Sequence, residues 1–253
     1  MKYVRYQFEG KTSYGVLDGD TVREIDGGLF GDKRETGLAA KLDSVKLLFP
    51  CEPSKILAVG LNYRSHLGNQ TAPANPEIFY KPPSALLNPG GKIVLPQGSR
   101  DVHFEGELVA VIGRKTRSVS AADAAGCILG FTCGNDVSER YWQKNDLQWW
   151  RAKGCDTFAP LGPVIVAGFD WNKGKIQTRV NGTILQSGSF GELLFNPLEI
   201  VSYVSRHLTL MPGDVVYTGT PGHTSMLKAG DAIEVDIEGI GVLRNTVMAQ
   251  TII

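Results

Sequence analysis

The stretch "FEGELVAVIG" at 104–113 restricts the fold of this chain more than any other. Its apolar half is short and rich in β-branched residues, as in a buried strand. A strand sends residues i and i+2 to one face, so Glu105 and Glu107 point one way while Leu108, Ala110 and Ile112 point the other. Gly106 between the glutamates leaves room for a close neighbour. Two like charges roughly 7 Å apart in a partly buried place repel each other and lose hydration. A cation between them removes both penalties. A solvent-facing strand end would also tolerate the pair, so this segment alone leaves two readings open.

The next segment narrows the choice. In "CGNDVSERYWQ", Asp136 stands where a strand, "LGFTCGND", hands over to a helix, "VSERYWQKN". Its spacing to Glu139 is that of a capping box, so helix capping is its ordinary role. Arg140 and Gln143 lie four and seven residues further on, along the face that Asp136 starts. A carboxylate, a guanidinium and an amide on one face suit an anionic substrate held beside a metal. Oxygen donors from Glu105, Glu107 and Asp136 favour magnesium, manganese or calcium over zinc. Lys153, in "WWRAKGCDTF", is either an ordinary surface charge or a lysine in apolar company, with a lowered pKa or a hold on a substrate anion. His66, in "GLNYRSHLGN", is a candidate base if its loop folds over the metal. His103 alternates onto the face of the glutamate pair, within reach of the metal's surroundings.

Residues 1–26 alternate apolar and polar positions between the turn signals "EGK" and "DGD", predicting a small antiparallel meander. The stretch 36–49, "TGLAAKLDSVKLLF", reads as a short helix ending at Pro50. A boundary there divides the chain into a small N-terminal β domain, 1–50, and a larger domain, 51–253. In the larger part, "KILAVGLNY" reads as a buried strand and "SAADAAGCI" as a helix capped by Ser120. "KIQTRVNGTILQSG" reads as a hairpin turning at Asn181-Gly182, and "NPLEIVSYVSRHLTL" as an amphipathic helix capped by Asn196. Lysine plus arginine equals aspartate plus glutamate, 26 of each, so net charge supplies no pull toward nucleic acid or anionic lipid. No long apolar run lacks charge, and "MKYVRYQFEG" has no secretory-signal pattern. With four cysteines outside any CxxC or zinc spacing, the expectation is a cytoplasmic protein with reduced thiols.

The segments "GLNYRSH", "IFYKPPSALL", "FEGELVAVIG", "GNDVSERYWQ", "RAKGCDTFAPLGP" and "VVYTGTPGH" together resemble, in that order, the fumarylacetoacetate hydrolase superfamily over residues 55 to 250. The resemblance implies a mixed, β-rich α+β fold: a β-sandwich roll carrying a small N-terminal β domain, usually as a homodimer with one divalent cation per site. It implies Glu105, Glu107 and Asp136 as metal ligands, and Lys153 in contact with the substrate. Arg140 and Gln143 would line the pocket, Lys81 and Thr220 would lie near the substrate carboxylate, and His66 would be the general base. One departure stands out. Several members place a glutamate three residues after that histidine, and here the residue is Asn69, with Glu77 as a substitute only if the loop folds back.

These assignments predict a magnesium- or manganese-dependent enzyme, with calcium as a further option, acting on a small 2-oxo acid. The first expectation is hydrolytic C–C cleavage of a 2,4-dioxo acid of the acylpyruvate or fumarylpyruvate type. The second is decarboxylation or isomerisation of a dicarboxylic 2-oxo-enoate in aromatic-acid breakdown. Two rivals differ in kind: a metal-independent aldolase with Lys153 as Schiff-base nucleophile, and a non-catalytic oxo-acid sensor, which Asn69 would favour.

Overall fold

The computed structural model describes residues 1–251. Strands β1 (Lys2–Phe8), β2 (Lys11–Asp18) and β3 (Thr21–Asp26) form the antiparallel meander predicted for the first 26 residues. A fourth strand, β4 (Arg34–Lys41), extends it. The helix expected over 36–49 is absent. Its first half is β4, followed by a single 3-10 turn at Leu42–Ser44 and a short strand, Lys46–Leu48, paired with β1. Gly37 adopts φ +86°, outside any right-handed helix, and pairing with β3 satisfies the backbone. Tertiary pairing here overrides the helix propensity of alanine, leucine and lysine. The meander is joined to the rest of the molecule, because Lys2 and Tyr3 pair with Val166 and Ile165.

The remaining long strands are β5 (Ile56–Gly60), β6 (Glu77–Lys81), β7 (Gly106–Ile112), β8 (Ile128–Asn135), β9 (Ala159–Val166), β10 (Lys175–Val180), β11 (Thr183–Ser189), β12 (Val215–Tyr217), β13 (Ala232–Ile237) and β14 (Gly241–Ala249). One large mixed sheet runs β4-β3-β2-β1-β9-β8-β7-β12-β5-β6. A second, five-stranded sheet runs β11-β10-β13-β14 and closes on the strand Lys92–Leu95. Four helices concern the site and its supports: α1 (Arg64–Leu67), α2 (Arg140–Asn145), α3 (Trp150–Gly154) and α4 (Pro197–His207). The capping box of Asn196 and Glu199 starts α4 as predicted, and Ser120 caps Ala121–Ala124. Asn181 and Gly182 both take positive φ, the type I′ geometry expected between β10 and β11.

Strand β7 sits in the middle of the large sheet, between β8 and β12, and all seven of its residues are buried. Leu108, Ala110 and Ile112 enter one apolar cluster with Ile176, Val235 and Ile237 of the second sheet and Ile200, Val201 and Val204 of α4. Val109 and Val111 enter the opposite cluster with Leu161, Ile165 and Tyr217. The glutamates therefore project from a strand covered on both faces, and the solvent-facing alternative is excluded.

At Gly106 the two sheets meet. A Cβ added there would overlap Thr178 Oγ1 of β10 and crowd Val235 of β13. Gly106→Ala is therefore expected to destabilise the fold by about 1–3 kcal/mol through overpacking. Urea denaturation measures this, and an unchanged midpoint would show that the sheets part freely at this position.

Candidate active site

Register brings the carboxylates together. Gly106 pairs with Asn135, so the residue before β7 and the residue after β8 are neighbours. Asn135 Oδ1 accepts the Glu105 amide at 2.9 Å, and the Asp136 amide donates to the Glu105 carbonyl at 2.8 Å. One carboxylate oxygen from each of Glu105, Glu107 and Asp136 lies within 4.8 Å of the other two, and all three residues are buried.

Asp136 is not the helix cap that its spacing suggested. The chain first forms a two-residue strand, Ser138–Glu139, and Glu139 caps α2 through the Trp142 amide. Asp136 is thereby released to the site. Its Oδ1 accepts from Lys81 at 2.5 Å and its Oδ2 from Lys153 at 2.6 Å. Glu105 takes Lys153 on Oε2 at 2.6 Å and Arg140 on Oε1 at 2.5 Å. Burial alone would raise Glu105, but Arg140 and Lys153 hold its carboxyl well below the usual range. Burial would likewise lower Lys153, yet Asp136 and Glu105 outweigh it and keep the ammonium above its ordinary value. The lowered lysine pKa considered from its apolar company is thus reversed: the nearby aromatic residues hide two carboxylates.

Glu107 is treated differently. It receives the Gly219 amide at 2.6 Å and no cationic side chain. Burial, then Asp136 and Glu105, push its carboxyl well above the usual range. A fully buried carboxylate without a directly paired cation, facing two others, has the donor chemistry of a site for a hard divalent cation. The three acids fit that group.

His66 stands at the edge of this cluster, with Nε2 3.7 Å from Glu105 Oε1. Its Nδ1 lies 2.7 Å from the Gly222 carbonyl. A carbonyl only accepts, so Nδ1 carries a proton, and Nε2 is the ring nitrogen that faces the acids. The Gly222 carbonyl therefore orients the imidazole. Asn69 is exposed, and Glu77 is exposed within β6, paired with Gly60.

A cavity of about 210 Å³ opens over the acids, lined among others by His66, Gln70, Phe79, Gln143, Trp149 and Thr220. Arg140 and Lys153 also line it. Arg140 Nη1 donates to Gln143 Oε1 at 2.8 Å, so the guanidinium and amide share one helical face as predicted. Lys81 is placed otherwise than expected: it is not among the lining residues, and its ammonium reaches Asp136 from behind. Thr220 reaches the cavity, but its hydroxyl proton is committed to the Gly106 carbonyl while Gln186 donates to its oxygen. His103 bonds to Asp101 and Thr224, one residue removed from the cluster. The Gly219 amide and the Gly222 carbonyl have no side-chain signal; only the "TGTPG" string marks their place. Trp149 and Phe79, an edge-to-face pair 5.4 Å apart, form the apolar wall.

The two sheets thus bring three buried acids that could hold a metal ion to the mouth of a central strand. Residues 55–248 match the family described as Fumarylacetoacetate (FAA) hydrolase C-terminal, and residues 1–50 match Rv2993c-like, N-terminal. The chain belongs to the fumarylacetoacetate hydrolase family. It is 42% identical to a 5-carboxymethyl-2-hydroxymuconate delta-isomerase from Mycobacterium smegmatis, with a TM-score of 0.94 over 99% of this chain and 100% of the other. It is 40% identical to a 2-hydroxyhepta-2,4-diene-1,7-dioate isomerase from Mycobacterium marinum, with a TM-score of 0.94 over 100% of both chains. The mitochondrial oxaloacetate tautomerase Fahd2a of Rattus norvegicus is 40% identical over 209 residues, 78% of this chain and 67% of that protein. Among the described residues no helix is long and apolar enough to cross a membrane.

Proposed function

We propose that this protein is a divalent-metal-dependent enzyme that moves a proton at C3 of a 2-oxo acid, interconverting keto and enol forms or shifting a double bond. The observation carrying this reading is the Nε2 of His66, aimed at the carboxylate cluster 3.7 Å from Glu105 Oε1 by a backbone carbonyl. Glu105, Glu107 and Asp136 would hold the cation, with magnesium or manganese suited to their oxygens. When bound, such a cation supplies positive charge to the carboxylate and ketone oxygens of a 2-oxo acid.

The rest falls to side chains. His66 removes the C3 proton through Nε2 and returns it, its ring held by Gly222. Lys153 and Arg140 balance the negative charge that develops on the substrate. Lys81 holds Asp136 in place from behind. Gln143 fixes the Arg140 guanidinium. The charges also favour a particular ligand: Lys81, Lys153 and Arg140 pair with Glu105 and Asp136, and counted formally these three cations match the three acids before any dication arrives. A dianionic acid would offset the two charges a divalent cation adds. Isomerase and tautomerase relatives at about 40% identity support the same reading.

Hydrolytic cleavage of a 2,4-dioxo acid is the second reading, with His66 deprotonating water in place of carbon. The exposed chain at 68–72 favours it, because it leaves the Gln70 edge of the cavity open to solvent.

Enol-to-keto conversion of oxaloacetate, followed by ultraviolet absorbance with magnesium or chelator, tests the first reading; acylpyruvate cleavage tests the second. His66→Gln is expected to lower kcat about 100-fold, the low end for general base catalysis, with metal-linked stabilisation kept. Turnover indifferent to both chelator and the His66 substitution would overturn the proposal.

A further inference from the structure

Arg140 is the one cation of the cluster that is not deeply buried, with 21% of its side chain exposed. A long side chain at such a position needs external restraint to keep one aim, since its rotamer freedom is otherwise large. Gln143 restrains Nη1. Nη2 is shared between Glu105 Oε1 at 2.5 Å and Thr224 Oγ1 at 3.2 Å.

Thr224 is itself held. His103 Nδ1 lies 2.7 Å from Thr224 Oγ1, and His103 Nε2 lies 2.7 Å from Asp101 Oδ1. The polarity of this chain follows from valence. The Asp101 carboxylate only accepts, so His103 carries a proton on Nε2; with the ring neutral, Nδ1 is the acceptor that faces Thr224. In that form the threonine hydroxyl donates to His103, which leaves its oxygen lone pairs for the Arg140 N–H. Without His103 the hydroxyl could rotate its proton toward Arg140, setting donor against donor.

The far end is anchored too. The Asp101 amide donates to Glu139 Oε1 at 2.8 Å, and the Arg140 amide donates to the Asp101 carbonyl at 2.8 Å. Glu139, fully buried, also caps α2. Segment 100–103 and the start of α2 are therefore knitted together around the chain Arg140, Thr224, His103, Asp101.

We infer that Thr224 and His103 are positioning residues: their hydrogen bonds set the aim of the Arg140 guanidinium at the substrate anion beside Glu105. This rests on the reading of Arg140 given under Proposed function. The competing role is purely structural, a staple of loop 219–226 onto the strand Val102–His103. That staple already exists as the backbone bridge between His103 and Met226, which side-chain substitutions leave alone.

The test compares wild type with Thr224→Val, Thr224→Ser and His103→Phe in the full-length protein. Two readouts are used: steady-state kinetics on oxaloacetate with magnesium, and ¹⁵N-resolved exchange of the Arg140 side-chain N–H protons. Loss of one long, shared hydrogen bond of ordinary net strength predicts a KM raised about 5- to 10-fold with kcat within about twofold in Thr224→Val. Thr224→Ser is expected to restore KM, and His103→Phe to shift it as Thr224→Val does. Arg140 exchange should quicken in the two damaging variants and return in Thr224→Ser. Unchanged KM and unchanged exchange in Thr224→Val would overturn the inference, as would failure of serine to restore them. If no variant, wild type included, turns over any oxo acid, the functional reading fails while the exchange measurement still decides the positioning role. Should Thr224→Val not fold, His103→Phe with the same two readouts decides it.

Discussion

Glu107→Gln is expected to abolish metal-dependent turnover while leaving the metal-free fold as stable as wild type, or about 1–3 kcal/mol more stable. The two effects share one cause. Glu107 is buried, faces two other acids, and has only the Gly219 amide as a partner. Its charge therefore opposes folding until a cation arrives, and burial with its acidic neighbours pushes its carboxyl well above the ordinary range. Glutamine keeps an oxygen for Gly219 and discards the charge. Thermal unfolding with and without magnesium or manganese checks both halves. Wild type should gain roughly 2.7 kcal/mol at metal concentrations 100 times Kd, and the variant little or none. A variant that gained as much as wild type would remove Glu107 from the metal site.

Lys153→Met is expected to act in the opposite sense on the metal-free protein, costing about 3–5 kcal/mol. Lys153 Nζ is 2.6 Å from both Glu105 Oε2 and Asp136 Oδ2, so it neutralises two acids that are otherwise pushed together. Methionine fills the stem's volume and leaves those acids without their shared counter-charge. A divalent cation can replace the lost charge, so the metal-linked rise in Tm should exceed that of wild type even as catalysis falls. A metal-free Lys153→Met as stable as wild type would contradict this account. The same ion pairs weigh against Lys153 as a Schiff-base nucleophile. That role needs a neutral amine, and Asp136 and Glu105 hold this one as an ammonium. Borohydride reduction with an oxo acid present is accordingly expected to trap no adduct.

Much of the architecture could be read from residue order because the relevant signals are local. Alternation in "FEGELVAVIG" placed Glu105 and Glu107 on one face, and the hairpin at Asn181-Gly182 and the capped helix at Asn196 follow from turn and capping chemistry. The failures occurred where a distant partner outweighed local preference. Residues 34–41 became an edge strand because β3 offered a ladder. Asp136 lost its expected capping role because Glu139, tied to the amides of Arg100 and Asp101, starts the helix instead.

The identity of the three acids, their shared oxygen chemistry and the nearness of Arg140 to Gln143 are properties of short spacings, and the linear chain contains them. The charge state of Lys153, the burial of Lys81 beneath Asp136, the tautomer of His66 and the isolation of Glu107 depend on atoms that lie 17 to 156 residues apart in the chain. A side chain's type can be read in place, but its protonation and aim are set by the field of its neighbours. Those neighbours are assembled only when the sheets close.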